Sequence, residues 1–82
     1  MNKIRLMFFA TLRDRAGTKT AEIEVPEDAT VRILKDEIGR LYPDVQPSLS
    51  SALIAVNREY AQEDLVLPDN AEVALFPPVS GG

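Results

Sequence analysis

The sequence predicts an α+β domain in which one helix lies across one mixed β-sheet. Three observations predict it. Two runs of period two, residues 3–10 and 20–25, open the chain. An apolar stripe at helical spacing follows over residues 31–41, and two further apolar runs, 52–57 and 71–76, come after it. The order β-β-α-β-(β)-β matches the two-layer arrangement in which a helix covers one face of a sheet. Eighty-two residues are enough for one domain, and no repeat or linker interrupts them.

In the first run Ile4, Leu6, Phe8 and Ala10 share one face, and Lys3, Arg5, Met7 and Phe9 share the other. Gly17 is the turn residue of the segment that follows, where Leu12 and Ala16 suit a single helical turn. In the second run Ala21, Ile23 and Val25 alternate with Thr20, Glu22 and Glu24, so the two runs read as a hairpin with a long connection. Pro26-Glu27-Asp28 breaks the strand, and Thr30 is a suitable helix N-cap. Val31, Leu34, Ile38 and Leu41 form the stripe of a helix expected from Val31 to Tyr42, ended by Pro43.

Residues 44–51 are polar and contain a proline, which predicts a loop. Ala52 to Asn57 reads as a strand with Ile54 and Val56 inward and Leu53 and Ala55 outward. Arg58-Glu59 is the expected turn and Tyr60-Ala61 a brief return. Leu67-Pro68-Asp69-Asn70 has β-turn chemistry, and Ala71 to Phe76 is the last strand. The expected core is Ile4, Leu6, Phe8, Ile23, Val25, Val31, Leu34, Ile38, Leu41, Ile54, Val56, Val73 and Leu75.

Composition narrows the function. Hydrophobic residues make up 45% and charged residues 27%, which is globular rather than disordered. There is no cysteine and no histidine, so disulfides, Cys/His zinc sites and Ser-His or Cys-His catalysis are excluded. Nine Lys and Arg against thirteen Asp and Glu give a net charge of −4. Such a chain repels phosphate backbones, so a protein partner is expected and nucleic acid is not. The N-terminal apolar run is broken by Lys3 and Arg5, which predicts neither a signal peptide nor a membrane span, with cytoplasmic residence as the default.

The last six residues, Pro77-Pro78-Val79-Ser80-Gly81-Gly82, carry the chemical signal. Proline cannot continue a strand ladder and stiffens the exit from it. Two glycines without Cβ atoms can pass through a narrow channel and present the carboxylate of Gly82 to another protein's active site. Such a tail spans about 20 Å when extended.

The predicted architecture and the Gly-Gly end resemble the ubiquitin-like β-grasp superfamily: a mixed β-sheet packed on one main helix. The segments MFFATLRDRAG at 7–17 and DNAEVALFPPVSGG at 69–82 look more narrowly like the small, sulfur-carrier subunits of molybdopterin synthase. The resemblance implies a β-grasp body over residues 1–76, an extended tail over 77–82, and a non-catalytic role. It implies that an E1-like adenylyltransferase joins AMP to Gly82, and that a persulfide donor converts the adduct to a thiocarboxylate. A large synthase subunit, in a heterotetramer, then takes the sulfur for a cyclic pyranopterin precursor. No intrinsic cofactor or metal is implied, only the transient AMP adduct and the thiocarboxylate sulfur. A protein modifier joined to lysines through Gly82, a thiamine-pathway sulfur carrier and an adaptor with an idle tail remain as alternatives.

The candidate site therefore comprises Gly82 as the reactive terminus and Gly81 as the residue that lets it pass. Phe76, Phe9, Met7, Pro77, Pro78 and Val79 are the expected partner interface. Leu53, Ala55 and Ala74 extend that apolar patch on the sheet face away from the helix. Arg13 is a candidate to position a phosphate-bearing intermediate. The carboxylates Glu22, Glu24, Glu27 and Asp28, and the set Glu59, Glu63 and Asp64, are expected to be solvated faces rather than a cation site.

Overall fold

The computed structural model describes residues 1–78. Its elements are β1 (Asn2–Phe8), α1 (Thr11–Ala16), β2 (Thr20–Val25), α2 (Val31–Leu41), α3 (Gln46–Leu49), β3 (Leu53–Val56), β4 (Glu59–Tyr60) and β5 (Glu72–Phe76). The five strands form one sheet in the order β2-β1-β5-β3-β4. β1 and β5 run parallel at its centre, while β1–β2, β5–β3 and β3–β4 are antiparallel. This mixed sheet with one long helix is the ubiquitin-like β-grasp.

Period-two patterning sends one set of side chains under α2. Leu6 is paired with Ala21 on one side and Val73 on the other; Phe8 is paired with Leu75, which meets Ile54. Val31, Leu34 and Ile38 of α2 close the layer from above and are buried. Twelve residues of the expected core are buried; Leu41 is the exception, at 44% exposure. At about 100° per residue, Leu41 and Tyr42 lie on opposite edges of the stripe. Tyr42 faces the core, with its ring edge-on to Phe8 at 5.3 Å.

Three other expectations are corrected. Strand β1 stops at Phe8, not Ala10, because Ala10 turns the chain at φ 53 and ψ −129 and starts α1. Leu12 of α1 is fully buried, and Gly17 ends the helix at φ 78, a conformation open to glycine without steric cost. The predicted loop at 44–51 contains α3, with Val45 and Leu49, one helical turn apart, both buried. Its close approach to α2 needs Gly39: a Cβ there would lie 2.8 Å from Gln46 Cγ and 3.4 Å from Leu49 Cδ1. The turn after β3 falls on Asn57-Arg58, both at positive φ, one residue earlier than expected.

Helix α2 is anchored at its start. Thr30 Oγ1 accepts from the Ile33 N–H at 3.4 Å, as an N-cap does. The Val31 and Arg32 N–H groups donate to the carbonyls of Leu65 and Glu63, both at 3.0 Å. These are donors that the helix itself cannot satisfy. The Glu63 carboxylate also pairs with Lys35 at 3.1 Å and Arg32 at 3.6 Å. The buried Asn2 side chain ties β1 to the last turn: it donates to the Pro68 carbonyl (3.0 Å) and accepts from the Asn70 N–H (2.8 Å).

Two predictions follow from this packing. Leu34→Ala removes a side chain with no exposed surface and should cost about 2–5 kcal/mol in urea unfolding. A loss under about 1 kcal/mol would contradict its place in the core. The hydrogen bond from Lys35, then its charge, hold the Glu63 carboxyl below the usual carboxylate range, with Arg32 adding less. The pair therefore stabilises the fold above the unfolded carboxylate pKa of about 4.3, and that contribution fades as pH falls through the lower folded value. Glu63→Gln should lower Tm near neutral pH and flatten the acid limb of the Tm–pH curve. An acid limb as steep as wild type would contradict the linkage.

Candidate docking face and tail exit

The sheet face opposite α2 is divided in two by register. Toward the start of β1, Lys3 lies opposite Glu24, and Arg5 lies opposite Glu22 on one side and Glu72 on the other. This half is a lattice of alternating charge, which favours cross-strand pairing. Toward the end of β1 the residues become apolar. One row crosses the sheet through Met7, Ala74, Ala55 and Tyr60. Beyond it, Phe76 is paired with Leu53 and stacks on Phe9.

Side-chain size turns this row into a cleft. Ala55 and Ala74 form a buried floor, whereas Met7, Phe9, Tyr60 and Phe76 rise around it. The cleft measures about 330 Å³, with Arg58 and Glu72 completing its lining. Phe9 is 39% exposed and Tyr60 75% exposed, so aromatic surface is open to a partner. Ala55 and Ala74, expected to extend an exposed patch, are thus its floor rather than its surface. A wider hollow of about 620 Å³, between β4 and residues 61–68, includes neither Phe9 nor Phe76.

The exit of the chain from β5 is held on both sides. Phe9 lies just past β1, and its N–H donates to the Leu75 carbonyl at 3.1 Å. The rings of Phe9 and Phe76 are 4.6 Å apart and 12° from parallel. Stacked aromatic pairs add about 0.5–1.5 kcal/mol beyond their area burial. The chain then passes through half-buried Pro77 to exposed Pro78. Val79, Gly81 and Gly82, named above for the interface and the reactive terminus, lie outside the described residues.

The other candidates separate. Arg13 is exposed on α1, and among the described residues it makes no salt bridge. Among the described residues no group of carboxylates is arranged to hold a metal ion. Glu27 pairs with the N-terminal ammonium at 2.9 Å, and Glu63 with Lys35 and Arg32. Among the described residues, no helix is long and apolar enough to cross a membrane. The cleft lining has one carboxylate, no hydroxyl nucleophile of the Ser or Thr type, and no imidazole or thiol. It can seat an apolar side chain but has no nucleophile–base pair.

Sequence reasoning missed Tyr60 and Arg58 as lining residues. The signal was Asn57, a residue that tolerates positive φ. A turn placed on Asn57-Arg58 sets Tyr60 opposite Ala55 and therefore on the apolar face.

Comparison with known proteins agrees with the fold. The ThiS family model matches residues 6–82. A molybdopterin synthase sulfur carrier subunit from Dictyostelium discoideum is 32% identical, across 99% of this chain and 98% of its own length. The protein of the same name from Escherichia coli (strain K12) is 35% identical, across 96% and 99%. The crystal structure of SAMP1, a small archaeal modifier protein from Haloferax volcanii, superimposes with a TM-score of 0.88 at 30% identity, covering 98% of this chain and 99% of that one. The chain belongs to the ThiS family, a group of ubiquitin-like β-grasp proteins to which molybdopterin synthase sulfur carrier subunits are related along their whole length.

Proposed function

We propose that this chain carries sulfur on Gly82 for the synthesis of molybdopterin. One observation carries the reading: the strand that leads into Pro-Pro-Val-Ser-Gly-Gly leaves the sheet beside an apolar cleft walled by Phe9 and Phe76. A docked partner would find the chain leaving the sheet at a fixed point, by way of Pro77 and Pro78. The names of the relatives support the same role. In this reading residues 1–76 are the docking body and 77–82 the working arm.

The chemistry suits a chain without cysteine or histidine. A free carboxylate is a poor electrophile. An E1-like adenylyltransferase joins it to AMP from ATP, releasing pyrophosphate. The outer sulfur of a persulfide donor then attacks the acyl carbon and expels AMP, and a thiol reduces the acyl disulfide so formed, leaving the thiocarboxylate. The arm then delivers sulfur to the cyclic pyranopterin precursor inside the large subunit, in a heterotetramer. Acid and base groups come from these partners. A second reading, a protein modifier joined to lysine through Gly82, is favoured by the likeness to SAMP1. The two differ in product: a sulfur-bearing terminus against an amide bond to another protein.

Two experiments test the proposal. Deleting Gly82 leaves a carboxylate about 3.5 Å short of its place. Misplacement by 1 Å can cost about a hundredfold in rate, so AMP transfer and product formation should both fail while the fold and large-subunit binding persist. Sulfur delivery at wild-type rates by the deletion would remove Gly82 from the mechanism. Phe76→Asp places a charge in the aromatic stack and should weaken large-subunit binding by at least about 2 kcal/mol, roughly thirtyfold. Calorimetric titration within a few-fold of wild type would remove Phe76 from the interface, and a thermal melt separates that outcome from unfolding.

A further inference from the structure

Four non-glycine residues among those described have positive φ: Ala10, Asn57, Arg58 and Asn70. Asparagine is several-fold enriched in that region, because its short side chain bonds locally; alanine and arginine have no such compensation. Of the two exceptions, only Arg58 lines the cleft. Residues in sparsely populated backbone conformations cost about 1–3 kcal/mol each and gather at functional sites.

Arg58 is the sharper case. It is the second central residue of the β3–β4 hairpin turn, at φ 74, where glycine is the favoured residue. The turn is clamped to the central strand. The Asn57 N–H donates to the Glu72 carbonyl at 2.8 Å, and the Glu72 N–H donates to Asn57 Oδ1 at 2.9 Å. An arginine therefore occupies a fixed glycine-type position at the rim of an apolar cleft, on a chain of net charge −4. Among the described residues it makes no salt bridge. Glu72, the carboxylate of the same rim, already lies opposite Arg5.

We infer that Arg58 is a docking residue whose guanidinium pairs with a carboxylate on the protein partner seated in the cleft. The inference rests on the reading that this face docks the large subunit. The complementary surface is an apolar side chain for the alanine floor with a carboxylate beside it. Arginine suits the role because its planar fork binds a carboxylate through two parallel hydrogen bonds. A rim charge of this kind acts mainly on association rate and on salt dependence.

The test compares wild type, Arg58→Gly, Arg58→Gln and Phe76→Asp, measuring thermal melting and large-subunit binding at low and high salt. Arg58→Gly relieves the backbone and should raise Tm by about 2–5 °C, yet weaken binding at least about fivefold at low salt. Arg58→Gln keeps the backbone demand and should lose the same affinity with little change in Tm. In both, binding should depend less on salt than in wild type. A structural role alone would move Tm and leave the salt dependence intact. If both Arg58 variants bind within twofold of wild type while Phe76→Asp does not, the inference fails and the docking face stands. If Phe76→Asp also binds normally, or wild type does not bind the large subunit, the docking reading fails and takes the inference with it.

Discussion

Parallel pairing of β1 with β5 is the constraint on which the rest of the structure depends. It joins residues 5–8 to residues 72–75 across nearly the whole chain and makes both strands central. Parallel strands cannot be joined by a tight turn; the intervening chain must cross over, and here that crossover includes α2. Two consequences follow from the one pairing. The helix face of both strands is sealed under Val31, Leu34 and Ile38. The far ends of both strands finish side by side, which brings Phe9 onto Phe76 at the point where the chain leaves the sheet.

Polar contacts fix this arrangement where the apolar layer ends. Asn2 holds the start of β1 to the turn before β5, through one donated and one accepted hydrogen bond. The carbonyls of Glu63 and Leu65 take up the first free N–H groups of α2, and the Glu63 carboxylate adds two cations from the same helix. Segment 61–67 has little regular structure of its own, yet it is attached to the helix start and, through Leu67, to Ala29. The other face of the sheet is not covered by α2. Its charged half sets Lys3 and Arg5 among Glu22, Glu24 and Glu72, and its apolar half has Ala55 and Ala74 as the floor of a cleft.

Legibility in the sequence followed the length of each pattern. The bounds of β2 and the start of α2 at Val31, with its Thr30 cap, were read correctly because each rests on several periodic residues in sequence. Leu41 was misassigned because the stripe widens in the last turn, where an aromatic neighbour one residue on took the core-facing place. Helix α3 was hidden because four residues are too few to display a period, and its packing depends on a missing side chain at Gly39 in another element. The apolar cleft was legible in Met7, Phe9 and Phe76, whose alternation set them opposite the core. Arg58 and Tyr60 were not, since a one-residue change in turn position decides which face they join.

The central claim is that Gly82 bears sulfur. Intact mass of the protein isolated from its native host tests it most directly. Replacement of one terminal oxygen by sulfur adds about 16 Da, so a second species at that spacing, confined to the C-terminal peptide, is expected. It should vanish when Gly82 is deleted. An unmodified terminus under every growth condition, or Gly82 found only in amide linkage to other proteins, would contradict the assignment.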